Sequence, residues 1–234
     1  MLPEENSLVY SQLLKTQSYA NENDMKINFA KTKLMLFNTC KKFDFMPNFE
    51  LDGNQLELID EMRLLGVVIT SDLKWNSNTC SITSKAYKRL WFIRRLKQLG
   101  VSEQDLIDLY TKQVRCLLEY AVPVWHSSVT EEEKQDIERV QKSALRIILG
   151  QHFESYSKAL ETTGLQTLEH RRQMLCERFA LSAQTHPKHK YWFQQRLRSS
   201  SRLQGKYLPV IARTERLRRG PITYMTNLLN RMKK

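Results

Sequence analysis

Six cations stand in one stretch of the chain without a single acid. Residues 83–98 hold Lys85, Lys88, Arg89, Arg94, Arg95 and Lys97, interleaved with Tyr87, Trp91 and Phe92. Cations meet phosphates and rings stack or pack, so this pattern suits a nucleic-acid backbone. The competing reading is an amphipathic helix whose aromatics face a core. A second candidate is Asn28–Lys33, just before a strand-like run, where Lys31 and Lys33 beside a turn can meet a phosphate. Solvated lysines next to strands are also common. Arg216, Arg218 and Arg219 near the C-terminus add non-specific attraction for a polyanion.

A self-contained active site is not legible. The chain has no G-x-x-x-x-G-K-[ST] or G-x-G-x-x-G loop to cradle a phosphate, no H-E-x-x-H, no G-x-S-x-G and no adjacent Asp-Asp. The acidic groups Glu4-Glu5, Asp60-Glu61 and Glu131–Glu133 sit at expected helix starts or turns and read as structural. Cysteines stand at 40, 80, 116 and 176 without a CxxC pair. Wide spacing of this kind predicts reduced thiols and a cytoplasmic or nuclear setting. Cys116 reads as a small core residue, and Cys176 with His186 and His189 fits no standard zinc spacing. No catalytic residue, metal ligand or bound cofactor is therefore assigned.

The elements that must position these residues fall into two kinds. Residues 3–22 predict a helix with a loose apolar face. Leu34–Asn38, Asn48–Leu51, Gln55–Ile59 and Arg63–Thr70 predict strands, with Asp52-Gly53 as a tight turn. After Trp75 the apolar spacing becomes helical. Ile82, Ala86, Ile93 and Leu96 mark a helix ending at Gly100. Ser102 with Asp105 opens a second, which Pro123 should end or kink. Thr130 with Glu131–Glu133 opens a third, stopping at Gly150. Shorter helices are expected at about 155–163 and 167–185, with Pro187 as a stop. The fold class is mainly α with a small α+β N-terminal part, thin in core if alone.

Charge obeys the same division. The 234 residues carry 37 Lys+Arg and 25 Asp+Glu, net +12. Residues 1–80 are net −3, 81–186 net +3, and 187–234 net +12. The last stretch reads as a basic tail for a polyanion, or as a solvated one. The longest apolar run, Leu64–Ile69, is far short of the roughly 20 residues a membrane-spanning helix needs. No membrane partner is expected.

Read in order, the motifs resemble the C-terminal part of a reverse transcriptase from a non-LTR, LINE-type, jockey-like retrotransposon. Met25-Lys26-Ile27-Asn28, Lys31-Thr32-Lys33 and Met35-Leu36-Phe37 resemble the segment after that family's catalytic Asp-Asp hairpin. Arg63-Leu64-Leu65-Gly66-Val67 with Leu73-Lys74-Trp75 resembles the next hairpin and the entry to the thumb. Leu117-Leu118-Glu119-Tyr120-Ala121, Trp125 and Ile137-Glu138-Arg139-Val140-Gln141 resemble thumb helices. Leu165, Leu168-Glu169 and Arg171-Arg172 fit the next block, and Ile222 with Leu228-Leu229-Asn230 a terminal one.

The resemblance implies a partial palm over 1–74, a helical thumb bundle over 75–186 and a basic C-terminal tail over 187–234. It implies a chain that starts after the metal-binding aspartates, so that Mg2+ is expected only for the complete polymerase. Lys31 matches a palm lysine near the incoming nucleotide's phosphates, and Leu65-Gly66 the tip of a primer-grip hairpin. The implied function is that of a reverse-transcriptase fragment, inactive alone, that binds RNA and DNA template–primer. The upstream polymerase part is a further partner. The regular patterning of 103–149 keeps open a helical interaction or scaffold protein with no nucleic-acid role.

Overall fold

The computed structural model describes residues 8–37, 50–51, 53–195 and 206–232. Expectations that fall on 3–7, Asn38, Cys40, Asn48, Phe49, Asp52 and 196–205 lie outside the described residues. The chain divides into two compact units at Lys74/Trp75, where the apolar spacing changes period.

The first unit opens with α1 (Leu8–Glu22), which buries only Ala20. Next comes a turn in which Asn28 Oδ1 accepts from the Lys31 N–H at 3.1 Å. β1 (Lys33–Leu34) pairs in parallel with β4 (Glu57–Leu58), setting Lys33 beside Glu57. β2 (Glu50–Leu51) and β3 (Asn54–Gln55) form a hairpin around Gly53, whose φ of +70° suits a residue without a Cβ. The expected strand 55–59 is thus divided between β3 and β4, with buried Leu56 between them.

The expected strand 63–70 is a hairpin instead. β5 (Glu61–Leu64) and β6 (Val67–Thr70) pair with Leu64 opposite Val67. Leu65 and Gly66 are the two turn residues, at φ +48° and +89°. Two positive φ values in a two-residue loop match the right-handed strand twist. Leucine is sterically strained there. Among the described residues the unit holds three separate two-stranded ladders rather than one sheet. Its buried apolar residues among those described are Ala20, Leu51, Leu56, Val67 and Val68.

The second unit is helical. α2 (Asn76–Gln98) buries Ile82, Ala86, Leu90 and Ile93, a stripe at helical spacing, and packs chiefly on α6 (Glu131–Leu149). Between them, Ser102 caps α3 (Glu103–Leu109) by accepting from the Asp105 N–H at 3.2 Å. A wide π-type turn, Tyr110–Arg115, and α4 (Cys116–Leu118) continue the rod. It buries Leu106, Tyr110, Val114 and Leu118 at four-residue steps. Cys116 lies two residues off that stripe and is exposed, correcting its expected core role. Pro123 does not end this rod. The break comes earlier, at Ala121 with φ +52°, and Pro123 opens α5 (Val122–Trp125), where its missing N–H costs nothing.

α6 begins with a capping box. Thr130 Oγ1 accepts from the Glu133 N–H at 3.2 Å, and Glu133 accepts from the Thr130 N–H at 2.6 Å. Thr130→Ala leaves the Glu133 backbone N–H without its acceptor and should cost about 1 kcal/mol. Thermal denaturation reads this as a fall of about 2–4 °C, and an unchanged midpoint refutes it. α7 (Tyr156–Thr163) stops at Gly164, φ +66°. Thr167 caps α8 (Leu168–Ala183).

Within residues 187–234, the described stretches 187–195 and 206–232 are not simply a solvated tail. α9 (Glu215–Arg218) leads into α10 (Pro221–Arg231), which packs on α8. Phe193, Tyr207, Met225 and Leu229 form one buried cluster with Ala180 and Ala183. Ser128 Oγ donates to the Arg219 carbonyl at 2.8 Å, tying the start of α10 to the turn after α5. The fold is mainly helical with a small sheet region on the N-terminal side, as expected.

Candidate nucleic-acid interface

α2 carries six cations and no acid over its whole length. Its buried stripe is committed to α6 and the π-type turn, so the opposite face is outward. Trp91 stands nine residues after Ile82, half a rotation away at 100° per residue. It is 66% exposed, Phe92 51% and Tyr87 44%. The aromatics therefore do not face the core. Tyr87, Leu90, Trp91 and Arg94 line a groove of about 310 Å³, closed on its other side by Ser143, Arg146 and Ile147 of α6. Arg146 is steadied over the Phe153 ring, 5.3 Å from its centroid. Two guanidiniums beside an exposed indole and phenol offer phosphate contacts and stacking faces together.

The other expected residues divide into available and engaged cations. Lys88, Arg94 and Arg95 are exposed and Lys85 is half-buried, and no ion pair holds any of them among the described residues. Arg95 donates to Gln98 at 3.2 Å. Arg89 donates to the Gln113 carbonyl and ties α2 to the π-type turn. Lys97 is paired with Glu103 at 3.1 Å. Arg218 and Arg219 both engage Glu215 on α9, and Arg216 is exposed there. In the first unit, Lys31 is exposed, Lys33 pairs with Glu57, and Leu65 and Gly66 form the β5–β6 tip with Leu65 84% exposed. Arg146 is not legible as a site residue in the sequence, because a cation in the last turn of a helix reads first as a dipole partner.

A second cleft, of about 480 Å³, lies where α5, α6, α8 and α10 meet, lined among others by His126, Lys134, Glu169, Arg219 and Tyr224. Lys134 bridges Glu131 at 2.7 Å and Glu169 at 3.2 Å. His126 is 6% exposed, with its ring edge-on to Tyr224 at 5.6 Å. Burial, then the charges of Arg172 and Lys134, push its pKa down from 6.5 to about 4, against a smaller opposing pull from Glu169. Unfolded chains take up this proton below pH 6.5 while the folded chain does not until about pH 4. Stability should fall across that window, by about 3 kcal/mol from this group alone, and the loss should be absent above it. Urea melts of the wild type and His126→Phe between pH 7 and 4 test this. Parallel pH profiles for the two would refute it.

Arg171 makes a bidentate pair with Glu119, at 2.8 and 3.0 Å. Arg172 is fully buried, and burial lowers its pKa against the attraction of Glu138 and Glu169. Cys176 is buried on α8, and burial pushes its thiol up to about 12. Among the described residues, no three His, Cys, Asp or Glu side chains are grouped so as to hold a metal ion. No described helix is long and apolar enough to cross a membrane. Compared with known proteins, the chain matches no family model, no curated protein and no solved structure.

Proposed function

We propose that this chain derives from an RNA-directed DNA polymerase of a non-LTR retroelement, and that its second unit grips RNA–DNA template–primer as a thumb. The observation that carries the nucleic-acid part is the outward face of α2. It is free of acid and combines Lys88, Arg94 and Arg95 with exposed Tyr87, Trp91 and Phe92. Arg146 adds a guanidinium across the groove. Phosphate contacts of this kind give affinity without sequence preference. The hairpin tip Leu65–Gly66 supports the primer-grip reading of the first unit, because an exposed apolar side chain is held forward at a strained turn. The ordered sequence motifs supply the family reading.

The test is fluorescence anisotropy of a labelled RNA–DNA primer–template at two salt concentrations. The full chain is compared with a variant carrying Lys88→Gln, Arg94→Gln and Arg95→Gln. Substitution is preferred to truncation at residue 186, which would remove Phe193, Tyr207, Met225 and Leu229 from the core. Binding with equal salt dependence for both proteins would sink the α2 reading. A discrete oligomer with no affinity for RNA or DNA would favour the scaffold reading instead. Metal-dependent primer extension by the purified chain would refute its role as a non-catalytic fragment.

A further inference from the structure

His186, His189 and Trp192 recur at three-residue steps just after α8. The backbone there runs through i to i+3 hydrogen bonds. The His189 N–H donates to the His186 carbonyl at 3.0 Å, and the Trp192 N–H to the His189 carbonyl at 2.9 Å. Such tight turns eclipse side chains three apart. The three rings consequently form a ladder. His186 and His189 are stacked with centroids 4.5 Å apart and planes at 22°, and His189 and Trp192 lie 4.4 Å apart at 36°.

The ladder is set before any ligand arrives. His186 Nδ1 accepts from the Lys188 N–H at 3.2 Å, which fixes the ring and leaves Nε2 to carry the proton of the neutral imidazole. Phe193, the next residue after Trp192, is 3% exposed and packs against Tyr207, 5.8 Å between centroids. That anchor fastens the open rings to the buried cluster of α8 and α10.

The surroundings are cationic. Lys188 and Lys190 are exposed, with Lys190 5.2 Å from the centroid of Tyr191, itself 74% exposed. The sequence has no Asp or Glu between Glu177 and Glu215. His186 and Trp192, at the two ends of the ladder, both reach solvent. Stacked rings that reach solvent at both ends, flanked by exposed lysines in a stretch of sequence without Asp or Glu, match unpaired bases on a phosphate backbone. A paired duplex stacks its internal bases on one another and leaves only its terminal pairs to the ladder.

We propose that the His186–His189–Trp192 ladder is a stacking platform for single-stranded nucleic acid, with Lys188, Lys190 and Tyr191 beside it. The site is separate from the α2 groove and extends the nucleic-acid reading of the second unit, on which it rests. It gives that unit one surface for duplex and one for unpaired strand.

Two labelled probes test this, an unstructured single-stranded RNA and a blunt RNA–DNA duplex, titrated against the full chain. One variant is His189→Ala with Tyr191→Ala. A second, Lys188→Gln with Lys190→Gln, changes only exposed side chains and leaves the rings intact. The expected result is a loss of about tenfold or more in single-strand affinity for the ring variant, a smaller loss for the lysine variant, and unchanged duplex affinity. In a Trp91→Phe background, single-stranded RNA should also quench Trp192 emission. Equal loss on both probes, no loss on either, or no quenching overturns the platform. If the α2 variant weakens duplex binding while the ladder variants change nothing, the platform fails and the thumb reading stands. If neither set of variants changes binding, both fail. Stronger binding to anionic vesicles than to single-stranded RNA also overturns it.

Discussion

Gln141→Leu is expected to remove about 3 kcal/mol from the stability of the helical unit, because it orphans the buried Tyr110 hydroxyl at about 1–3 kcal/mol and breaks two part-buried hydrogen bonds. Gln141 lies fully buried in α6 and joins three elements through one amide. Its Oε1 accepts from the Tyr110 hydroxyl at 2.8 Å. Its Nε2 donates to the Tyr156 hydroxyl and to the Gln166 carbonyl, each at 2.9 Å. Tyr156 in turn donates to Glu138, which also accepts from the Leu168 N–H at 3.1 Å. Leucine fills the volume but satisfies none of these groups. Burial already holds the Tyr110 phenol well above the ordinary tyrosine range, so ionisation gives no escape. Denaturant melts measure the loss. A double variant, Gln141→Leu with Tyr110→Phe, should lose clearly less than the two single losses added, because one orphan is gone. Strict additivity would refute the network.

Neutralising Lys88, Arg94 and Arg95 is expected to weaken primer–template binding by about thirtyfold at moderate salt and to lower the log–log salt slope by about three. The choice of three rests on the pairing pattern. Lys97 is neutralised locally by Glu103, and Arg89 is occupied by the Gln113 carbonyl. Removing those two would damage packing as well as charge. Lys88, Arg94 and Arg95 have no such obligations among the described ion pairs. Trp91→Ala should lower affinity by about tenfold while leaving the slope unchanged, since stacking releases no counterions. A slope that changes with Trp91→Ala, or does not change with the triple variant, contradicts the assignment.

The helices are legible where local chemistry and periodicity agree. Thr130 and the three glutamates after it announce the start of α6, and Ile137, Val140, Ala144 and Ile148 mark its buried face. Periodicity does not settle the direction of the α2 aromatics, because Leu90 and Leu96 widen the apolar stripe until Tyr87 and Trp91 fit either side. Packing against α6 fixes the rotation. Periodicity hides the turn at Leu65, because leucine is a poor residue for positive φ and residues 63–70 look like one apolar strand, whereas the family resemblance places a hairpin tip at Leu65-Gly66. The burial of α10 is masked by composition. Met225, Leu228 and Leu229 form its buried apolar face, but the thirteen cations of residues 187–234 dominate that stretch. The histidine–tryptophan ladder is hidden for another reason. Rings at three-residue spacing stack only when the backbone takes i to i+3 bonds, and Pro187 signals the end of α8 without specifying the tight turns after it.

The clasp of α10 on α8 has a consequence for synthesis. Contacts of high sequence separation form late, since the loop between them must close first. The Ser128–Arg219 bond spans 91 residues, and Met225 and Leu229 complete a cluster begun by Ala180. A ribosome making this chain can assemble α2 against α6 long before it has made that last helix. Until then the nascent unit presents Ala180, Ala183, Phe193 and Tyr207 as an open apolar floor. The period just before α10 emerges is therefore when the chain has most need of a chaperone.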